Sequence, residues 1–135
     1  FEGHEGPVSS LCQAVPDELV SGGWDGTARV WDMTTGKCKK VLEAGAHAVS
    51  VLALPNGIII TGSQDKTIRI WLKNELQKEI PNAHGDIIRG FTEVPGVGFA
   101  SCSNDEMVKL WSLDGTPLRT FAGHSGFVFS LTCLN

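Results

Sequence analysis

The stretch Ser21-Gly22-Gly23-Trp24-Asp25-Gly26-Thr27-Ala28-Arg29-Val30-Trp31 recurs forty residues on as Thr61-Gly62-Ser63-Gln64-Asp65-Lys66-Thr67-Ile68-Arg69-Ile70-Trp71. Forty further on it recurs as Ser101-Cys102-Ser103-Asn104-Asp105-Glu106-Met107-Val108-Lys109-Leu110-Trp111. In every copy a hydroxyl residue stands ten positions before the tryptophan and an aspartate six before it. A fixed period of this length marks a repeat architecture, in which each unit covers the apolar face of the next. The recurrence also limits function. A residue present in every unit holds units together, whereas chemistry needs one constellation at one place.

Outward from these stretches, each period offers four short apolar runs separated by turn formers. In the third period the runs are residues 87–94, 97–102, 107–112 and 118–121, parted by Pro95-Gly96, Asn104-Asp105 and Asp114-Gly115. The first period turns at Pro16-Asp17, Trp24-Asp25-Gly26 and Thr35-Gly36, and the second at Pro55-Asn56-Gly57, Gln64-Asp65-Lys66 and Lys73-Asn74. Short runs rich in Val, Ile and Leu at this spacing predict strands, four to a unit, and nothing along the chain has helical periodicity. The fold class is therefore all-β, a β-propeller of four-stranded blades. The innermost strands, near residues 49–54 and 127–134, are the most continuously apolar, as expected of strands covered on both faces.

Composition excludes several classes of function. A net charge of −4 argues against phosphate-backbone binding, so no nucleic-acid partner is expected. No run approaches the roughly 18 apolar residues of a membrane span, and no signal segment opens the chain. Cys12, Cys38, Cys102 and Cys133 form no CxxC pair and follow no repeat spacing. They read as small buried apolar residues of a reducing compartment, with no metal or other cofactor. The expected location is the cytoplasm, with the nucleus as a second site.

Two histidines complete the polar frame. His4 precedes Ser21 by seventeen residues and His84 precedes Ser101 by the same distance. His4, Ser21, Asp25 and Trp31 thus form one set and His84, Ser101, Asp105 and Trp111 another, while His124 opens a further copy. A Ser/His/Asp trio is also the constitution of a hydrolase triad. A triad, however, is single, exposed and served by an oxyanion hole. Here the trio repeats and ends each time on an indole N–H, so a buried, satisfied network is the better reading and no enzyme is expected. The frame resembles the WD40 repeat, over essentially the whole chain. In that family the four side chains form a hydrogen-bonded tetrad inside each blade.

The second unit departs from the pattern. Aligning Val49 with Val8 puts Ala44-Gly45 where Gly3-His4 stands, so the histidine is missing from the set of Thr61, Asp65 and Trp71. His47 falls two positions late and is expected to face solvent, leaving a weaker network in this blade.

Phe1-Glu2-Gly3-His4 matches Phe121-Ala122-Gly123-His124 at three whole periods. Blade 1 then spans about residues 1–43, blade 2 about 44–82 and blade 3 about 83–122, with the first strand of a fourth in 123–135. Propellers close with about 4–8 blades. Thirteen strands divide badly into closed rings of copies, which favours part of a longer propeller of about seven blades. Uncovered blade faces and edges would promote self-association.

On the family's usual binding rim, the positions are those three and five after the histidine and those flanking the aspartate. These are Pro7, Ser9, Trp24 and Gly26; Ala48, Ser50, Gln64 and Lys66; Ile87, Arg89, Asn104 and Glu106; and Phe127 and Phe129. Trp24, where its siblings are Gln64 and Asn104, has no packing duty in the repeat. Exposed aromatics near an arginine are the usual interface anchors.

Further stretches narrow the resemblance: Thr61-Gly62-Ser63-Gln64-Asp65-Lys66-Thr67, Ile88-Arg89-Gly90-Phe91, Ser101-Cys102-Ser103-Asn104-Asp105, and Gly123-His124 leading to Phe129-Ser130-Leu131. Their order and spacing resemble the phospholipase A-2-activating protein family and its yeast Doa/Ufd-like members. That resemblance implies a propeller that binds ubiquitin in a degradation or sorting factor. Docking on an AAA ATPase would fall to downstream domains absent from these residues. The other reading is a scaffold for an unrelated protein or peptide, as in G-protein β-like proteins or ubiquitin-ligase receptors.

Overall fold

The computed structural model describes residues 1–134. The first sheet is an antiparallel meander of β1 (Val8–Gln13), β2 (Glu18–Gly23), β3 (Thr27–Asp32) and β4 (Cys38–Glu43). The second repeats it with β5 (Ser50–Leu54), β6 (Ile58–Gly62), β7 (Ile68–Leu72) and β8 (Glu75–Ile80), and the third with β9 (Ile88–Val94), β10 (Gly98–Ser103), β11 (Met107–Ser112) and β12 (Pro117–Ala122). A single 3₁₀ turn at Pro55–Gly57 is the only helical element among the described residues.

The repeated aspartates explain the turns between second and third strands. Asp25, Asp65 and Asp105 each accept the N–H two residues on, from Thr27 (3.1 Å), Thr67 (3.1 Å) and Met107 (2.9 Å). This side-chain turn holds the residue between them in left-handed backbone, Gly26 at φ 82°, Lys66 at 67° and Glu106 at 73°. The reversal is thus specified by the carboxylate even where a lysine or glutamate must take a positive φ.

Apolar side chains between adjacent sheets make two cores. Val20, Val30, Leu42, Val49, Val51, Ile59 and Trp71 pack between the first and second sheets. Ile60, Ile68, Ile70, Ile88, Phe99 and Trp111 pack between the second and third, with the Phe99 and Trp111 rings stacked at 6.3 Å. Backbone bonds fix the stagger: Val49 N–H to Gly23 O (3.1 Å), Ile88 N–H to Ser63 O (3.4 Å) and Val128 N–H to Ser103 O (3.0 Å). The inter-sheet bond therefore recurs a third time, onto the segment that follows β12.

Two expectations are corrected. Residues 123–134 form no strand, although Val128 is bonded and buried in the inner-strand place. A strand needs a ladder partner, and no described residue pairs with this segment. Of the four cysteines only Cys102 is buried, and burial pushes its thiol up to about 11; Cys12, Cys38 and Cys133 are half-exposed. The uncovered face of the first sheet leaves Val8 and Leu11 exposed, 53% and 62%.

Candidate functional site

In the first sheet Trp31 Nε1 donates to Ser21 Oγ at 2.8 Å. Ser21 in turn meets His4 Nε2 at 2.6 Å, and His4 Nδ1 meets Asp25 Oδ2 at 3.0 Å. The third sheet repeats the chain: Trp111 Nε1 to Ser101 Oγ (2.9 Å), Ser101 Oγ to His84 Nε2 (2.6 Å), His84 Nδ1 to Asp105 Oδ2 (2.8 Å). Each hydroxyl accepts from an indole and donates to an imidazole, which places the histidine proton on Nδ1 facing the carboxylate. Ser21 and Ser101 are buried, at 3% and 0% exposure, and each oxygen is already engaged twice. A nucleophile needs substrate access, so this geometry is a structural network. Ser101→Ala strands two buried nitrogen partners and is expected to cost about 1–2 kcal/mol in urea unfolding; no loss of stability would contradict a role for the network.

Burial alone would raise the Asp25 carboxyl, but the Glu5 N–H, the Thr27 hydroxyl and His4 hold it well below the carboxylate range. Asp105 is likewise held down, its burial outweighed by the N–H groups of Gly85 and Met107 and by His84. Burial drives His84 below its ordinary value, against the pull of Asp105. The unfolded chain therefore binds the His84 proton more readily than the folded one. Stability falls as pH drops below about 6.5, and the two carboxylates add a second loss below about pH 4. The urea midpoint is expected to fall from about pH 7.5 to 5.5, and His84→Gln to flatten that slope. An unaltered slope in the variant would remove His84 as its source.

The second sheet solves the missing histidine in a way the repeat does not announce. Trp71 Nε1 still donates to Thr61 Oγ1 at 3.0 Å. Asp65, however, is met by Arg69 Nη1 at 2.9 Å and by the Ser63 hydroxyl. Arg69 also reaches Ala44 O at 2.8 Å and Glu79 Oε1 at 3.1 Å. Gly45 makes this possible. It sits at φ 118°, and a Cβ there would lie 2.5 Å from Asp65 Oδ2, 2.6 Å from Arg69 Nη1 and 2.7 Å from Ser63 Oγ. The network here is rebuilt around a guanidinium rather than merely weakened.

At the rim, Trp24 lies at the β2–β3 turn and is 47% exposed. Its ring is 6.4 Å from that of His47, which faces solvent as expected but bonds Trp24 O through Nδ1 at 2.7 Å. Gln64 and Lys66 are exposed at the next turn, and the Gln64 N–H bonds His47 O at 3.1 Å. Arg89 sits on a β-bulge, skipped between the pairs Ile88↔Ser103 and Gly90↔Cys102. Bulges re-aim side chains, and Arg89 turns its Nε to Asn104 Oδ1 (2.9 Å) and its guanidinium over the Phe129 ring (5.5 Å). Phe127 and Phe129 meet edge to face at 6.1 Å and are 57% and 63% exposed. The structure thus makes two aromatic clusters: Trp24 with His47, and Phe127 and Phe129 with Arg89 and Asn104. Ala48 and Ser50 are buried instead; Ser50 Oγ bonds Gly62 O and Ile88 O, both at 3.3 Å. His47 is the rim residue sequence reasoning missed, because its partner is a backbone carbonyl. Among the described residues no cluster of His, Cys, Asp or Glu is disposed to hold a metal ion.

Three stacked four-stranded sheets, each with such a network inside it, define a WD40-repeat propeller. Residues 1–32 and 36–71 match the family described as WD domain, G-beta repeat, and the chain belongs to that family. It is similar to the ubiquitin homeostasis protein lub1 of Schizosaccharomyces pombe, 46% identical over 98% of this chain and 18% of that protein. Protein DOA1 of Saccharomyces cerevisiae is 35% identical over 98% of this chain and 19% of its own length. The crystal structure of the WD40 β-propeller domain of Doa1 matches with a TM-score of 0.84 at 34% identity, covering 98% of this chain and 45% of that one. A ribosome biogenesis protein, the WDR12 homolog of Nematostella vectensis, is 32% identical over 92% of this chain and 32% of its own length. The chain therefore spans less than a fifth of the length of lub1 and DOA1.

Proposed function

We propose that this rim is a ubiquitin-binding surface, with Trp24 as its main anchor and Gln64, Lys66, Arg89, Asn104, Phe127 and Phe129 around it. The observation that carries the reading is Trp24 itself. It is a large aromatic, 47% exposed, at a turn whose siblings are polar, in a chain 46% identical to a ubiquitin homeostasis protein. Such residues dominate interface energetics when a partner desolvates them. Ubiquitin offers a shallow apolar patch rimmed by basic residues. The exposed Glu5, Asp86 and Glu106 supply the opposite charge beside the aromatic clusters. The cytoplasm, with the nucleus, is the compartment this role requires.

The test is a titration of ¹⁵N-labelled ubiquitin with the full-length protein. Shifts confined to the apolar patch, and lost when that patch is made polar, are the expected result. No ubiquitin-dependent shifts at millimolar concentration would sink the reading. The second reading, a scaffold for an unrelated protein partner, draws on the 32% identity to a ribosome biogenesis protein. It predicts that null result.

A further inference from the structure

We propose that His47 is a positioning residue of this rim, clamping the Trp24 turn of the first sheet to the Gln64 turn of the second so that the Trp24 ring is held ready for a partner. The inference rests on the ubiquitin-binding reading above.

One residue joins the two turns. The Trp24 carbonyl can only accept, so the bond at 2.7 Å requires the proton on His47 Nδ1. The backbone carbonyl of the same residue accepts from Gln64 N–H at 3.1 Å. In the sibling sheets the corresponding bond is made within one blade by ordinary strand-leading residues, Trp24 N–H to Pro7 O (2.9 Å) and Asn104 N–H to Ile87 O (3.1 Å). Neither Pro7 nor Ile87 has a side chain that reaches back to the preceding blade by a hydrogen bond. His47 does both, and the chain around it is shaped for that. Ala48 takes left-handed backbone at φ 59°, a conformation an L-residue adopts only when its surroundings require it. Gly26 lies so close to the loop that a Cβ there would be 2.4 Å from Gly45 O. The first-sheet turn and the loop before β5 are therefore in direct contact, with the imidazole beside the indole at 6.4 Å.

An anchor held in place before binding loses less conformational freedom when the partner arrives. The clamp should then appear in affinity, and only through Nδ1. An asparagine amide can take the place of Nδ1, and a glutamine amide the place of Nε2, so the two substitutions separate positioning from direct contact. In the full-length protein titrated with ubiquitin, His47→Ala and His47→Gln are expected to weaken binding about fivefold. His47→Asn should stay within about twofold of the wild type, with all three variants unfolding at the wild-type urea midpoint. Unchanged affinity in His47→Ala would overturn the inference. So would a loss in His47→Asn as large as in His47→Ala; if His47→Gln is then spared, Nε2 is a direct contact. Trp24→Ala measured alongside separates the two failures. If it weakens binding while His47→Ala does not, only the clamp falls; if ubiquitin binds and neither matters, Trp24 falls as the anchor and the clamp with it.

Discussion

Gly45→His is expected to destabilise the protein by about 3 kcal/mol, although a reading of the repeat says it should do the opposite. By pattern, histidine at this position completes the set of Thr61, Asp65 and Trp71. The register agrees that the position corresponds: Ala44 N–H bonds Gly26 O and Ala83 N–H bonds Lys66 O, one residue before Gly45 and His84 respectively. Arg69 and Lys109 reach the carbonyls of the same two alanines, each at 2.8 Å. The backbone parts company immediately afterwards, at φ 118° on Gly45. A side chain there incurs about 1–2 kcal/mol of backbone strain. Its Cβ also intrudes on Asp65, Arg69 and Ser63, all within 2.7 Å. Arg69 cannot simply swing away, since it is tied to Asp65, Glu79 and Ala44 O. Overpacking against so constrained a group adds about 1–3 kcal/mol. Urea unfolding at neutral pH measures the sum, and a midpoint raised to or above the wild-type value would show that the guanidinium network is dispensable.

The same residues show what a sequence can and cannot disclose here. The period, the strand layout and the two histidine networks were legible because each depends on residues that recur at fixed spacing. The role of Arg69 was hidden by that recurrence, since Arg29 and Lys109 stand at the same place and look like ordinary strand cations. The available signal lay across the sheet: Arg69 faces Glu79, whereas Arg29 faces Val41 and Lys109 faces Thr120. An acid opposite the cation, in the one unit without its histidine, was the clue. The rim divides similarly. Trp24 stood out by differing from Gln64 and Asn104, but its bond to His47 joins a side chain to a carbonyl, and carbonyls are the same in every sequence. The strand expected after β12 failed for a different reason. Apolar patterning says that a segment suits a strand, whereas a strand exists only when a ladder partner accepts its N–H and C=O groups.

Trp24→Ala is expected to weaken ubiquitin binding about thirtyfold, some 2 kcal/mol or more, while leaving the fold intact. Trp24 belongs to neither apolar core, and the two bonds made by its main-chain N–H and C=O, Trp24 N–H to Pro7 O and His47 Nδ1–H to Trp24 O, survive removal of the ring. Stability should therefore move by no more than about 0.5 kcal/mol, the usual range for a surface substitution. Affinity should move far more, because an aromatic ring loses water on binding and an alanine leaves a gap that the rim cannot close. Lys66→Ala is the control: an exposed rim charge should change the salt dependence and on-rate of binding with little change in affinity. If Lys66→Ala costs as much as Trp24→Ala, charge rather than apolar burial holds the partner. If ubiquitin binds and Trp24→Ala leaves the affinity unchanged, the contact lies elsewhere on the ring, and the Phe127–Phe129 cluster beside Arg89 becomes the place to test.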